Sequence, residues 1–214
     1  MLQNVTNIDM LVQTTCQKSL VTPWQLALLL QNLHIVCEIG IPGNVVELGC
    51  FHGGTSIALQ KLLLEIKSDK QLHLYDSFEG LPSIAPQDLD KRAQWQFGAD
   101  AGAMCTTLKE LQQNFDNAGV PLLHVHAGWF DKLSPEEYPE QIAFSFIDGD
   151  FYSSIMSGLN CVYPRLSKGA VCYLHDYGPN NPLFPGVEVA CTEFFIDKPE
   201  TLVLVNEMAY FVKT

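Results

Sequence analysis

Basic residues are scarce in this chain: 12 Lys and Arg stand against 24 Asp and Glu in 214 residues, a formal net charge of −12. Such a chain has no evident basic face for a phosphate backbone, so no nucleic-acid partner is expected. Long apolar runs are missing too. The longest, around residues 26–35, is broken by Gln31, Asn32 and His34 and is too short and polar to span a bilayer, so no membrane partner is expected. The opening MLQNVTNIDM lacks the basic start and apolar block of a secretory signal. Seven cysteines, odd in number and irregular in spacing, make no disulfide framework and read as reduced thiols, mostly small core residues. No internal repeat or low-complexity tract occurs. These absences predict a soluble, cytoplasmic protein.

What is present is a globular composition, 47% apolar, in a length that fits one domain over 1–214 with a substantial core. Thr22-Pro23-Trp24-Gln25 reads as a helix start with a capping box. Leu26, Leu29, Leu30, Leu33 and Cys37 then recur at helical spacing, making residues 1–40 an N-terminal helical cap. Strands are predicted at Val45–Gly49, Leu72–Tyr75, Leu122–His126, Ile142–Ile147 and Ala170–Leu174. Helices are predicted over Gly54–Ser68, Thr107–Asn117, Ser153–Leu166 and Gly186–Ile196. The last two runs, Leu202–Val205 and Ala209–Lys213, are three residues apart and predict an antiparallel hairpin. The alternation gives an α/β fold with a doubly wound, mostly parallel sheet. Residues 77–104 show no clean period, and a segment that long reads as a substrate lid, with Trp95 and Phe97 shaping the pocket.

The most informative stretch is VVELGCFHGGTS, 45–56, followed by HLYDSFEGLP, 73–82. An apolar strand carries Glu47, breaks at Gly49, turns through Gly53 and Gly54 and restarts as a helix at Thr55 and Ser56. A second strand then ends at Asp76. Strand, glycine turn, helix, strand and acid is the order in which a doubly wound sheet holds a nucleoside cofactor. Asp76 is placed to accept ribose hydroxyls. Glu47, in an apolar strand, needs a cationic partner or a proton, and the ammonium or sulfonium of S-adenosylmethionine is one such cation. The dinucleotide fingerprint G-x-G-x-x-G is absent, since Phe51 stands where its middle glycine would be. Alternatively the glycines only make a turn, and Glu47 pairs with backbone or a lysine.

A second constellation follows two later strands. FSFIDGDFY ends a strand at Asp148, and YLHDYG ends the next at His175 and Asp176. Strands joined by one crossover helix are parallel and often adjacent, about 4.8 Å apart, so these side chains converge on the ligand-binding edge. Carboxylates and an imidazole crowded together call for a cation, and oxygen-rich ligands with one histidine suit Mg²⁺ or Mn²⁺. The plainer alternative has both aspartates capping turns and His175 buried and satisfied.

The motifs VVELGCFHGGTS, YDSFEGLP, GWFDKL, FIDGDFYSS, YPRLSKGAV and HDYG…PGVEVACTEFF, in this order over residues 40–197, resemble the macrocin-type sugar O-methyltransferases within the class I S-adenosylmethionine-dependent methyltransferases. The resemblance implies seven strands with the last antiparallel. It implies cofactor contacts at Glu47, Gly49, Asp76 and Ser77, with Gly128, Trp129 and Phe130 near the adenine; Gly53, Thr55, Ser56 and Asp148 join this set. It implies a metal on Asp148, His175 and Asp176, although His175 stands where the family has an acid. His52 replaces a basic residue and is expected to reach the cofactor carboxylate. A homo-oligomer is a further family expectation. Tyr152 and Tyr177 either hydrogen-bond substrate or cover the site.

The expected reaction is methyl transfer to a hydroxyl of a small molecule, a sugar or natural product. A water-like hydroxyl has a pKa near 15.7 and free histidine about 6.5, so deprotonation by His175 alone would cost roughly 12 kcal/mol. A cation at the oxygen closes much of that gap. Asp148 and His175 are therefore the catalytic candidates, with His175 either ligand or base. A cofactor-binding protein without turnover and a metal-dependent oxygenase are the competing readings.

Overall fold

Thr22 accepts the Gln25 N–H and Gln25 answers on the Thr22 N–H, the capping box read from the sequence. A computed structural model describes residues 7–15, 19–89, 101–178 and 181–214. The elements in chain order are helix α1 (Ile8–Thr15), helix α2 (Pro23–Glu38), strand β1 (Asn44–Leu48), helix α3 (Gly54–Glu65), strand β2 (Leu72–Asp76), helix α4 (Leu108–Ala118), strand β3 (His124–Ala127), strand β4 (Ile142–Ile147), helix α5 (Tyr152–Val162), strand β5 (Leu166–Leu174), helix α6 (Pro185–Phe194), strand β6 (Val203–Val205) and strand β7 (Met208–Val212). Trp95 and Phe97 lie outside the described residues.

The seven strands form one sheet in the order β3-β2-β1-β4-β5-β7-β6. The first five are parallel, while β7 runs antiparallel to β5 and pairs with β6 as the expected hairpin. Strand alternation sends Val45, Leu72, Leu74, Phe144 and Phe146 into a core under α2 and α3, and Val46, Leu48, Ile147, Cys172 and Leu174 into a second core with α5 and α6. Both faces are covered, which is why the central strands read as continuous apolar runs.

The largest departures from the periodicity fall at two helix ends, while other elements shift by one or two residues. The helix predicted over Ser153–Leu166 stops at Val162 and gives a single 3₁₀ turn, Tyr163–Arg165. Pro164 cannot donate the hydrogen bond a continuing helix needs, and β5 begins four residues earlier than expected. The helix predicted to Ser68 ends at Glu65, where Lys67 takes a left-handed φ of 53°.

The register sets the site. Tyr75, Leu48, Ile147 and Leu174 form one row across β2, β1, β4 and β5. The residue after each is Asp76, Gly49, Asp148 and His175. Backbone bonds carry the ladder one step past that row: Gly49 N–H to Tyr75 O at 2.8 Å, Asp148 N–H to Leu48 O at 2.8 Å, and His175 N–H to Ile147 O at 3.0 Å. The order reverses between β1 and β4, the switch point where such sheets bind ligands.

Candidate active site

A cleft of about 620 Å³ opens over this rim. Gly49, Phe51, Asp76 and Ser77 line one side, and Trp129 and Phe130 form a wall. Asp148, Asp150, His175 and Asp176 occupy the other side, beside Ser153, Ser154 and Ser157 of α5. The two constellations read from the sequence therefore share one cavity.

On the glycine side, the carboxylate of Asp76 is already oriented by the backbone. Its Oδ2 accepts the Phe51 N–H at 2.9 Å and its Oδ1 accepts the Phe78 N–H at 2.9 Å. A carboxylate has about four acceptor positions, so it retains capacity for two hydroxyls. The turn is made by Gly49 at φ 87° and Gly53 at φ 81°, conformations that L side chains resist. Gly53 is the N-cap of α3 and supplies no side-chain bond, leaving the first-turn N–H groups open.

Six predicted cofactor residues lie outside the lining, as do Tyr177 and Tyr152, whose hydroxyl donates to Glu193 at 2.6 Å. Glu47 is 1% exposed, facing the α3 side of the sheet. Its Oε2 and the Ser56 Oγ are buried without hydrogen-bond partners among the described residues. Burial pushes the Glu47 carboxyl up to about 8; the Ser56 hydroxyl, close by though short of a well-formed hydrogen bond, opposes that rise, and the charges of Asp148 and Asp76 add to it. Thr55 pairs with Ser19 at 2.8 Å. The His52 ring turns to the Thr106 hydroxyl, 3.0 Å from Nδ1, and is not part of the cleft surface. Gly53 packs under Leu111 and Phe115 of α4. Gly128 sits behind the wall, donating its N–H to Asp76 O at 2.8 Å.

On the acidic side, His175 Nδ1 lies 3.0 Å from Asp148 Oδ1 and 3.0 Å from Asp176 Oδ2. One ligand atom from each of these three residues falls within 4.8 Å of the others, a spacing that fits one ion. Burial alone would lower the His175 pKa, but the charges and hydrogen bonds of Asp148 and Asp176 outweigh it and drive it well above 6.5.

Sequence reasoning missed Asp150. Its carboxyl is pushed well up by burial, then by the charges of Asp148 and Asp176. Both Asp150 (φ 60°) and Asp176 (φ 54°) hold left-handed backbone, a strain that concentrates at functional sites. The signal was available in the tight Asp148-Gly149-Asp150 turn, where Gly149 lets Ser154 approach the backbone. The serines of α5 were also missed; their spacing at 153, 154 and 157 puts them on one helical face. Lys132, the only Lys or Arg among the described lining residues, is paired with Asp131 at 2.7 Å.

A seven-stranded sheet in this order, with a glycine turn after β1 and acids after β4 and β5, has the class I methyltransferase fold. The chain belongs to the macrocin-O-methyltransferase (TylF) family, whose model matches residues 15–201. It is 32% identical over 143 residues to the mycinamicin III 3''-O-methyltransferase of Micromonospora griseorubida, covering 64% of this chain and 56% of that protein. It is 28% identical over 155 residues to the 8-demethyl-8-(2,3-dimethoxy-alpha-L-rhamnosyl)-tetracenomycin-C 4'-O-methyltransferase of Streptomyces olivaceus, covering 69% of this chain and 59% of that protein. The chain thus spans a little over half the length of these two relatives. The solved O-methyltransferase NovP superimposes with a TM-score of 0.76 at 23% identity, over 92% of this chain and 82% of that one. No helix among the described residues is long and apolar enough to cross a membrane.

Proposed function

We propose that this protein is an S-adenosylmethionine-dependent O-methyltransferase acting on a hydroxyl of a small sugar or natural product, with Mg²⁺ or Mn²⁺ held by Asp148, His175 and Asp176. The observation that carries this reading is the sharing of one 620 Å³ cleft by the Gly49–Asp76 rim and the acid–imidazole cluster. Relatives named as methyltransferases of glycosylated natural products support the acceptor class.

The residues present fit both groups. The buried, unpartnered Glu47 Oε2 and Ser56 Oγ behind the turn are the kind of polar atoms a cationic donor would engage. Two carboxylates and an imidazole within 4.8 Å give the oxygen-rich, mixed donor set that Mg²⁺ or Mn²⁺ accepts. When bound, the donor supplies an electrophilic methyl group and the metal supplies positive charge at the acceptor oxygen.

The chain's own residues do the rest. Asp76 and Ser77 orient the ribose, while Gly49 and Gly53 let the backbone come close and Thr55 continues the turn into α3. Trp129 and Phe130, backed by Gly128, shield the adenine and exclude water. His52 would reach the donor carboxylate only on release from Thr106. Asp148 and Asp176 fix His175 through Nδ1, so the acceptor hydroxyl is presented against an oriented imidazole.

A second reading has a specific observation in its favour. Both aspartates lie 3.0 Å from the same nitrogen of His175, so the ring is oriented by an Nδ1–H shared between two carboxylates, without a metal. As the neutral Nδ1–H tautomer, His175 then leaves Nε2 unprotonated, to take the acceptor's proton as general base.

The experiment is calorimetric binding of S-adenosylhomocysteine, followed by methyl transfer to a panel of glycosylated acceptors with Mg²⁺, with Mn²⁺ and with EDTA. Binding and turnover with metal, suppressed by EDTA, support the first reading. Equal turnover in EDTA selects the second. Absence of binding removes the donor site.

A further inference from the structure

Helix α5 begins immediately after the acidic loop, yet its own N-cap does nothing to satisfy it. That residue, Phe151, is extended at φ −111° and ψ 154° and offers no side-chain hydrogen bond. The first N–H groups of a helix have no partner within it and need one from elsewhere. Here a partner comes from 64 residues earlier: Asp88 Oδ1 accepts the Tyr152 N–H at 2.7 Å. The other oxygen, Oδ2, accepts the Ala85 N–H at 2.8 Å and closes the 3₁₀ turn Pro86–Asp88. Asp88 is only 3% exposed. Helix α6 closes over it, since a Cβ at Gly186 would lie 1.8 Å from Asp88 Oδ1.

Three pieces of the cleft wall therefore meet at one carboxylate. The segment 77–89 contributes Gly80, Leu81 and Pro82 to the lining, α5 contributes its serines, and Phe184 precedes α6. A carboxylate suits such a junction, because both its oxygens accept hydrogen bonds and negative charge is favoured at a helix N-terminus.

We propose that Asp88 is a positioning residue: by capping α5 from outside, it fastens segment 77–89 across the cleft and sets how long a ligand stays there. The proposal rests on the reading of the cleft as a donor site.

The test uses the full chain and S-adenosylhomocysteine as probe, comparing the wild type with Asp88→Ala and Asp88→Asn by stopped-flow dissociation and by amide hydrogen exchange. Asp88→Ala is expected to release the probe about three- to thirtyfold faster, the range that loss of a helix cap spans. Exchange should rise at Tyr152 and over 77–89 while β1 and β4 stay protected. Asp88→Asn keeps an acceptor oxygen for Tyr152 but sets an amide against the Ala85 N–H, so its rate should fall between the other two. An unchanged rate in Asp88→Ala overturns the proposal. So does a loss of protection throughout the sheet, which would make the role merely structural. A wild type that does not bind the probe overturns the donor reading instead; the fastening is then read from exchange alone, and unchanged exchange in Asp88→Ala overturns it.

Discussion

A Cβ at Gly49 would lie 1.9 Å from the carbonyl oxygen of Asp148. The turn after β1 and the acidic loop after β4 are therefore in direct backbone contact, and no side chain fits between the two halves of the cleft. Gly49 also holds φ 87°, where a Cβ is strained even in open space. Gly49→Ala should destabilise the protein by about 2–4 kcal/mol in chemical denaturation. It should weaken S-adenosylhomocysteine binding by more than about tenfold. A variant with wild-type stability and affinity would contradict the contact.

Asp148 and Asp176 both grip His175 Nδ1, so removing either changes what the other can hold. Asp148→Ala and Asp176→Ala should each reduce methyl transfer on the order of 10²–10³-fold, comparable to losing one preorganised electrostatic contact in an active site. Mn²⁺ binding followed by electron paramagnetic resonance should weaken in parallel. Full turnover in either variant would remove that residue from the site.

The rim of the sheet was legible in the sequence because each strand ends in a residue that breaks its apolar run. Glu47-x-Gly49, Tyr75-Asp76, Ile147-Asp148 and Leu174-His175 each mark the same height, and parallel pairing then aligns them. The capping box at Thr22 was legible for a similar reason, since both partners lie within four residues. Features that depend on distant parts of the chain were not. Asp88 caps a helix 64 residues away, and nothing local distinguishes it from a loop aspartate. The orientation of His52 toward Thr106 depends on where α4 packs. Asp150 sat in plain view in the Asp148-Gly149-Asp150 turn, but its place beside Asp148 and Asp176 comes from the pairing of distant strands, not from the turn alone.

Glu47 makes a prediction with two opposed readouts. Its carboxyl is protonated at neutral pH, because burial raises its pKa from 4.5 to about 8. The unfolded chain ionises above about 4.3, so the stability that the protonated group confers is full at low pH and lost as pH rises toward 8. Gln reproduces the shape of the protonated acid without titrating. Glu47→Gln should therefore be more stable than the wild type at pH 7 by about 3 kcal/mol, with the difference vanishing near pH 4. If Glu47 meets the donor's cation, the same variant should bind S-adenosylhomocysteine about tenfold more weakly. Thermal melts across pH and calorimetry separate the two effects; no gain in stability at pH 7 would mean that Glu47 is ionised in the fold.

The outer strands carry a column of stacked rings that titrates in the opposite sense. His73 stacks on His124 at 4.4 Å, and Tyr75 stacks between His126 and Tyr138 at 4.5 Å from each. His73 Nδ1 lies 3.3 Å from His126 Nε2, and its Nε2 lies 3.4 Å from Asn44 Nδ2, an arrangement that requires a neutral ring. Burial, then the neighbouring histidines, lowers the His73 pKa to about 4. His126 is also lowered by burial, with Glu137 opposing it from 3.9 Å. Between about 6.5 and 4 the unfolded chain binds a proton that the folded ring refuses, so stability falls as pH drops through that window. His73→Phe keeps a ring in the column and removes the titration. It should lose less stability than the wild type between pH 7.5 and 4.5, by about 1–2 kcal/mol in urea denaturation after allowance for solvent screening. Part of the acid loss should remain, from His126. An identical acid loss in the two proteins would show that His73 is charged within the fold.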